Sequence, residues 1–181
     1  MEKRIDDLEQ YSRMDDLLIS GLKTKPVSYA RAAANSVGDG VEETPSTTKA
    51  EQASLENQVL KFFEERNIQV RANLISACHV LPRRDGNTNN TPLIIMRFAN
   101  RKAKVELMTQ RTKLDGTDVF FNEHLTKRNA EIAREARILK KNGKIEGTWT
   151  RNCKVWIKLN GAPENAKPTL VKDKSELDKY R

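Results

Sequence analysis

The order of apolar patterns between residues 16 and 121 constrains the fold of this chain more than any other feature. Apolar runs at 16–22, 73–81, 93–98 and 119–121 are bounded by Gly, Pro or Asn, and they predict four strands. A capping box at 48–51 and an N-cap at Asn100 predict helices that end near Arg66 and Leu114. The order β-α-β-β-α-β predicts a ferredoxin-like domain, in which two helices cover one face of an antiparallel sheet and leave the other face open for a ligand.

The segments around this core predict a short helix, an insertion and a second module. Ile5 and Leu8 are three residues apart among charges, which favours the end of a coiled-coil helix over residues 1–13. Residues 23–47 are rich in Pro, Gly, Ser and Ala and predict a flexible insertion in a domain that spans 14–122. A helix at 126–142, strands at 147–150 and 154–158 with a tight turn at 151–152, and a terminal helix at 174–180 predict a small α-β-β module over 123–181.

The positive charge is concentrated in one part of the chain. Residues 101–158 carry 15 Lys and Arg against 7 Asp and Glu, whereas residues 1–100 carry 13 and 14. A concentrated basic surface attracts polyanions through long-range attraction and release of counterions. The pattern therefore favours a nucleic-acid partner, and the alternative is a solvated surface whose lysines maintain solubility.

Several other classes of protein fit the sequence poorly. Cys78 and Cys153 are far apart and belong to no Cys/His cluster, so we expect reduced, partly buried thiols and no structural zinc. His79 neighbours Cys78, but adjacent residues of a strand point to opposite faces, and no catalytic motif is present. The chain shows no signal-peptide pattern and no long apolar run. We therefore expect a non-enzymatic protein of the cytoplasm or nucleus, with no metal, cofactor or membrane partner.

The first and third predicted strands bear on how a nucleic acid is bound. Leu17–Leu22 has the shape of the first-strand hexamer of RNA-recognition motifs, but Leu18 stands where that motif has a stacking aromatic residue. The third strand, Ile94–Phe98, offers a single Phe. Because the sheet has few aromatic residues on which bases could stack, phosphate contacts should supply most of the affinity. Binding should then have low sequence specificity and a steep dependence on salt.

Several segments resemble retroelement and viral proteins. Glu9–Arg13 followed by Leu17–Gly21 is similar to the junction of coiled coil and RNA-recognition-like domain in LINE-type first-open-reading-frame proteins. Phe121–Thr126, Arg134–Arg137 and residues 143–158 resemble the C-terminal module of that family and of baculovirus FP proteins. The resemblance implies an RRM-like domain, binding of single-stranded RNA or DNA with RNA preferred, chaperone behaviour in a ribonucleoprotein, and self-association through the N-terminal helix. It implies no catalysis, and Val80 stands where the family often has an Arg.

The predicted site is a basic groove on the strand-poor side of the core and in the cleft between the two modules. One of the two tryptophans, Trp149 or Trp156, could stack on a base, while a core role is expected for one of them. The residues assigned to the site are Arg83, Arg84, Arg97, Arg101, Lys102, Lys127, Arg128, Arg137, Lys140, Lys141, Arg151, Lys154 and Trp156. A protein–protein adaptor or oligomerisation module is the alternative, which an exposed apolar patch would favour; an element remnant without activity also fits.

Overall fold

The computed structural model describes residues 2–24, 45–81, 91–163 and 165–181, and the side chains of residues 2, 3 and 45–54 lie outside the description. The chain divides into two compact units, which we call the four-stranded unit (15–122) and the three-stranded unit (residues up to 14 together with 123–181). Both combine helices with an antiparallel sheet, so the predicted α+β class is confirmed. In chain order the elements are α1 (Glu2–Ser12), β1 (Asp16–Ser20), α2 (Pro45–Glu65), β2 (Ile75–Leu81), β3 (Leu93–Phe98), α3 (Arg101–Thr109), β4 (Phe120–Glu123), α4 (Lys127–Lys141), β5 (Ile145–Arg151), β6 (Lys154–Leu159) and β7 (Thr169–Val171).

The sheet of the four-stranded unit has the strand order β2-β3-β1-β4, and β3 runs antiparallel to both β1 and β2. Alternate residues of β1 and β3, such as Leu17 and Met96, are fully buried and form the core with Phe63 of α2. The Phe63 ring meets Phe121 edge to face, with centroids 5.6 Å apart, a favoured aromatic geometry. This apolar face anchors the unit.

The second face of the same sheet differs from the expected open surface. Asp16 pairs with Arg97 and Leu18 pairs with Ile95 across β1 and β3, which places these four residues on the face opposite Leu17 and Met96. Asp16 and Ile95 are nevertheless buried. On the same face Arg97 is exposed and Leu18 is partly exposed, so the face that was expected to be open for a ligand is only partly accessible at its centre.

The three-stranded unit packs α4 against a sheet of order β5-β6-β7. Apolar residues of α4 recur at helical spacing, and they meet Ile145 of β5 and alternate residues of β6, because a strand turns every second side chain to the same face. The buried members of this core are Ile132, Ala133, Ala136, Leu139, Ile145, Val155, Ile157, Val171 and Leu177. The three-residue strand β7, which completes the sheet, has no counterpart in the sequence prediction.

Several predicted boundaries need correction. The helix α2 begins at Pro45, so the insertion predicted for 23–47 ends too late, and residues 25–44 of it lie outside the described residues. The hairpin turn is Asn152–Cys153 rather than 151–152, because Arg151 pairs with Lys154. The segment Lys174–Tyr180 is a 3-10 helix. The predicted cap at Asn100 is confirmed, since its side chain accepts from the Ala103 N–H, whereas the capping box at 48–51 is wrong as a helix start because α2 begins at Pro45. The side chain of Thr126 accepts from the Asn129 N–H and caps α4.

Both cysteines are buried and unbridged, and burial, with a smaller contribution from Glu56, raises the pKa of Cys78 to about 12. Among the described ranges, no helix combines the length and the apolar character that a membrane span requires.

Candidate nucleic-acid interface

The outer face of the three-stranded sheet combines aromatic and basic side chains. Val155 and Ile157 of β6 point into the core, so Lys154, Trp156 and Lys158 point outward. The register places Arg151 opposite Lys154 and Trp149 opposite Trp156. Directly opposite residues share a face, so two indoles lie side by side on this surface, with cationic residues at both ends of the pair.

Neither tryptophan belongs to the apolar core of its unit, and both are partly exposed. The core role expected for one of them is therefore wrong. The Trp149 ring lies along the outer face, since a methyl group at Gly147 would be 3.8 Å from Trp149 Cζ3. Leu170 of β7 pairs with Trp156, which extends the apolar band across all three strands.

The Trp156 indole N–H is buried and donates to no acceptor in the described part of the chain. An unsatisfied buried donor costs about 1–3 kcal/mol. This ring therefore keeps its position at some cost to the stability of the fold.

The charges at the two ends of the indole pair differ. Lys158 Nζ lies 2.6 Å from Glu146 Oε1, so its charge is compensated within the sheet. Arg151 and Lys154 are exposed and form no ion pair with any described residue. The Arg151–Lys154 end of the hairpin therefore carries two cations available to phosphates.

The turn between these cations has an uncommon backbone. Asn152 and Cys153 both have positive φ, 53° and 59°. Two consecutive left-handed residues form the type I′ turn, which matches the twist of a two-residue hairpin. Asn tolerates this conformation well, whereas a residue such as Cys has a Cβ that opposes it. The turn therefore needs support from outside the hairpin.

The structure separates the basic residues of α4 into two groups. The Asn129 side chain donates to the Cys153 carbonyl oxygen at 3.3 Å, so the first turn of α4, with exposed Lys127, lies beside the hairpin turn. Arg128 in the same turn is bound to Asp173, whose pKa is lowered chiefly by its hydrogen bonds from Ser175 and also by Arg128. The remaining predicted cations of α4, Arg137, Lys140 and Lys141, are exposed but lie about two to four turns further along the helix.

The predicted site residues of the four-stranded unit are mostly engaged with acidic neighbours. Both Nε and Nη2 of Arg97 donate to the buried Asp16 carboxylate, at 2.6 and 3.1 Å, and this hydrogen bonding raises the pKa of Arg97. Arg101 lies 3.4 Å from Asp15. Lys102 is highly exposed, 4.0 Å from Glu106. Arg83 and Arg84 lie outside the described residues.

One exposed aromatic residue of the four-stranded unit escaped the sequence prediction. Phe120 on the edge strand β4 is 60% exposed, while its neighbour Phe121 is buried. Phe120 and exposed Arg111 line a shallow depression of about 330 Å³ together with Asn122. The two adjacent Phe residues could have predicted this exposure, because a strand turns one of two neighbouring side chains away from the core.

No protein-family model and no curated protein matches this chain.

Proposed function

We propose that this protein binds single-stranded nucleic acid, with RNA preferred and with low sequence specificity, and that it catalyses no reaction on it. The observation that carries the proposal is the outer face of the β5–β6 hairpin, where two partly exposed indoles adjoin the cations Arg151 and Lys154, which form no ion pair with any residue that the structure describes. Aromatic rings stack on any base, and cations hold the backbone, so this combination suits single strands of any sequence.

The distribution of charge supports the same surface. Residues 123–181 carry 15 Lys and Arg against 8 Asp and Glu, whereas residues 15–122 carry 15 and 13. Ion pairing further reduces the cations available at Arg97 and Arg101. The three-stranded unit is therefore proposed as the main source of phosphate contacts.

The four-stranded unit is proposed to be an RRM-like domain that contributes less to affinity. Its strand order β2-β3-β1-β4 is that of the ferredoxin-like arrangement. Its second face has no stacking residue at Leu18. The resemblance to LINE-type and baculovirus FP proteins suggests a chaperone role in a retroelement-derived ribonucleoprotein of the cytoplasm or nucleus.

The test is fluorescence anisotropy with a labelled, unstructured RNA of about 25 nucleotides and the matching single-stranded DNA. If Lys127, Arg151 and Lys154 each hold one phosphate, the logarithm of affinity should fall with a slope of about 2 against that of salt concentration. Affinity would then drop about 20-fold between about 50 and about 200 mM salt. Absence of binding at the lower salt concentration by the folded protein would refute the proposal.

A second candidate function, oligomerisation or adaptor binding through α1, is favoured by one observation. Ile5, Leu8 and Tyr11 are 60%, 66% and 66% exposed, and the helical period places them on one side of α1. Gln10, on the opposite side, is buried within the unit. The helix thus turns its polar side inward and its apolar side outward, the reverse of a helix that serves one unit alone.

Replacing Ile5 and Leu8 together by Ser should abolish self-association if this apolar face joins a second copy. We expect light scattering to show a concentration-dependent oligomer for the natural sequence and a monomer for the double variant. The matched control replaces Asp7, which is exposed on the same helix outside the side that carries Ile5 and Leu8, by Ser. A monomeric natural protein at all concentrations would remove the homo-oligomer from the proposal.

A further inference from the structure

Within the three-stranded unit, the buried side chain of Gln10 joins the N-terminal helix to residues 124–129, and beside it the Arg13 guanidinium donates to the Leu125 carbonyl oxygen at 3.1 Å. The Gln10 amide Nε2 donates to the His124 carbonyl oxygen at 2.9 Å. Its Oε1 accepts from the Thr126 N–H and from Asn129 Nδ2, both at 2.9 Å. Gln10 is only 8% exposed, so these bonds replace the contacts with water that it loses on burial.

Two chains of hydrogen bonds continue from this point to the hairpin turn. Asn129 Nδ2, already bound to Gln10, also donates to the Cys153 carbonyl oxygen at 3.3 Å. On the other side of the same residue, the Cys153 N–H donates to Glu123 Oε2 at 2.9 Å. Glu123 is followed in the chain by His124, whose carbonyl oxygen accepts the hydrogen bond from the Gln10 amide. Both polar groups of the Cys153 backbone are thus held by residues that lie outside the hairpin.

The support is needed because Cys153 adopts a left-handed conformation in a buried position. For a residue with a Cβ this conformation costs about 1–2 kcal/mol. Such backbone conformations persist where surrounding contacts over-determine them, often at functional sites. Arg151 and Lys154 immediately flank the turn, so its backbone sets where their side chains begin.

From this network we infer that α1 is part of the nucleic-acid site, with Gln10 and Asn129 as positioning residues for the Arg151–Lys154 turn. The inference rests on the proposed function, which it extends from the hairpin to the N-terminal helix. Neither residue needs to touch the nucleic acid. Their effect is to order two phosphate-binding side chains before binding, which reduces the entropy lost when the complex forms.

The first measurement is amide hydrogen exchange of the full chain, followed by NMR without nucleic acid. In Gln10→Ala we expect the Cys153 amide to exchange at least about 10-fold faster, because local opening becomes easier, while core amides of Ile132 and Ala136 keep their rates. Ile5→Ala, on the exposed side of the same helix, should leave the Cys153 amide unchanged. An unaltered Cys153 rate in Gln10→Ala would overturn the inference.

The second measurement separates positioning from charge. Gln10→Ala should weaken RNA binding about 10-fold, the scale expected for ordering two long side chains at the moment of binding, while the salt slope stays the same because no cation is lost. Equal affinity of Gln10→Ala and the natural protein for RNA would overturn the inference even if the turn loosens.

Asn129→Ala provides a second route if Gln10→Ala fails to fold. It removes the bond to the Cys153 carbonyl but leaves Gln10 bound to residues 124 and 126, and the same two changes are expected. The exchange experiment uses no RNA. If the natural protein binds no RNA, the proposed function fails, whereas the exchange rates still decide whether the helix holds the turn.

Discussion

Replacing Arg151 and Lys154 together by Ala is expected to weaken binding of single-stranded RNA about 25-fold at about 0.1 M salt. The estimate follows from counterion release, because each lost phosphate contact to a single strand lowers the salt slope by about 0.7, or about 1.4 for two. Both side chains are exposed and unpaired among the described residues, so the change should leave the free energy of unfolding within about 1 kcal/mol. Anisotropy titrations at several salt concentrations measure affinity and slope together.

The control for this double variant must remove the same charge elsewhere on the unit. Lys140 and Lys141 are both exposed near the C-terminal end of α4, whereas Asn129, which contacts the turn, lies near its start. Twelve residues of helix separate Asn129 from Lys141, a distance of about 18 Å. If Lys140→Ala with Lys141→Ala lowers affinity and slope as much as the hairpin variant, binding follows net charge and the hairpin is not a specific site.

The local structure of this chain follows closely from its sequence wherever the determining interactions are local. Asn100 is a helix cap because its side-chain oxygen accepts from the nearby Ala103 N–H, an interaction that a short stretch of sequence is enough to predict. The strand β3 is predicted equally well, by the apolar residues Leu93–Met96 and the preceding Pro92. The helix α2 begins earlier than predicted, at Pro45, a residue type that is common at the first position of a helix. At the other elements the predicted and observed boundaries differ by one or a few residues.

The parts that escaped prediction depend on distant partners. The three residues of β7 form a strand because they pair with the edge of β6, and the sequence Thr169–Val171 contains no pattern that predicts this pairing. Arg97 was assigned to phosphates, yet its partner Asp16 is 81 positions away in the sequence. Gln10 gave no sequence signal at all, since its hydrogen-bond partners lie more than 110 residues further along the chain. A candidate site assembled in this way cannot be read from periodicity or motifs.

For the two tryptophans, the strands were predicted correctly but the core role expected for one indole was wrong. Alternation in Lys154–Lys158 correctly predicts one apolar and one basic, aromatic face. Large aromatic side chains are usually buried, which favours a core role for at least one indole. The strand register shows otherwise. Trp149 and Trp156 lie on the face that carries Arg151 and Lys154, whereas Val155 and Ile157 lie on the core face.

Replacing either indole by Ala is expected to weaken RNA binding about 5- to 150-fold without changing the salt slope, because stacking contributes about 1–3 kcal/mol per base and involves no counterions. Trp149→Phe and Trp156→Phe keep an aromatic ring and should retain most of the affinity. Trp156→Phe also removes the unsatisfied indole N–H, so we expect no loss in its free energy of unfolding.

The chain itself supplies the measurement, since Trp149 and Trp156 are its only two tryptophans. Stacked bases should quench the intrinsic fluorescence as RNA is added, and each single Phe variant assigns the signal to the remaining indole. If the bound RNA still quenches the fluorescence at high salt, the quenching comes from stacking rather than from the salt-sensitive phosphate contacts. Undiminished fluorescence at saturating RNA, with Ala variants that bind normally, would confine the interface to the cations and would leave the indole pair without a role in binding.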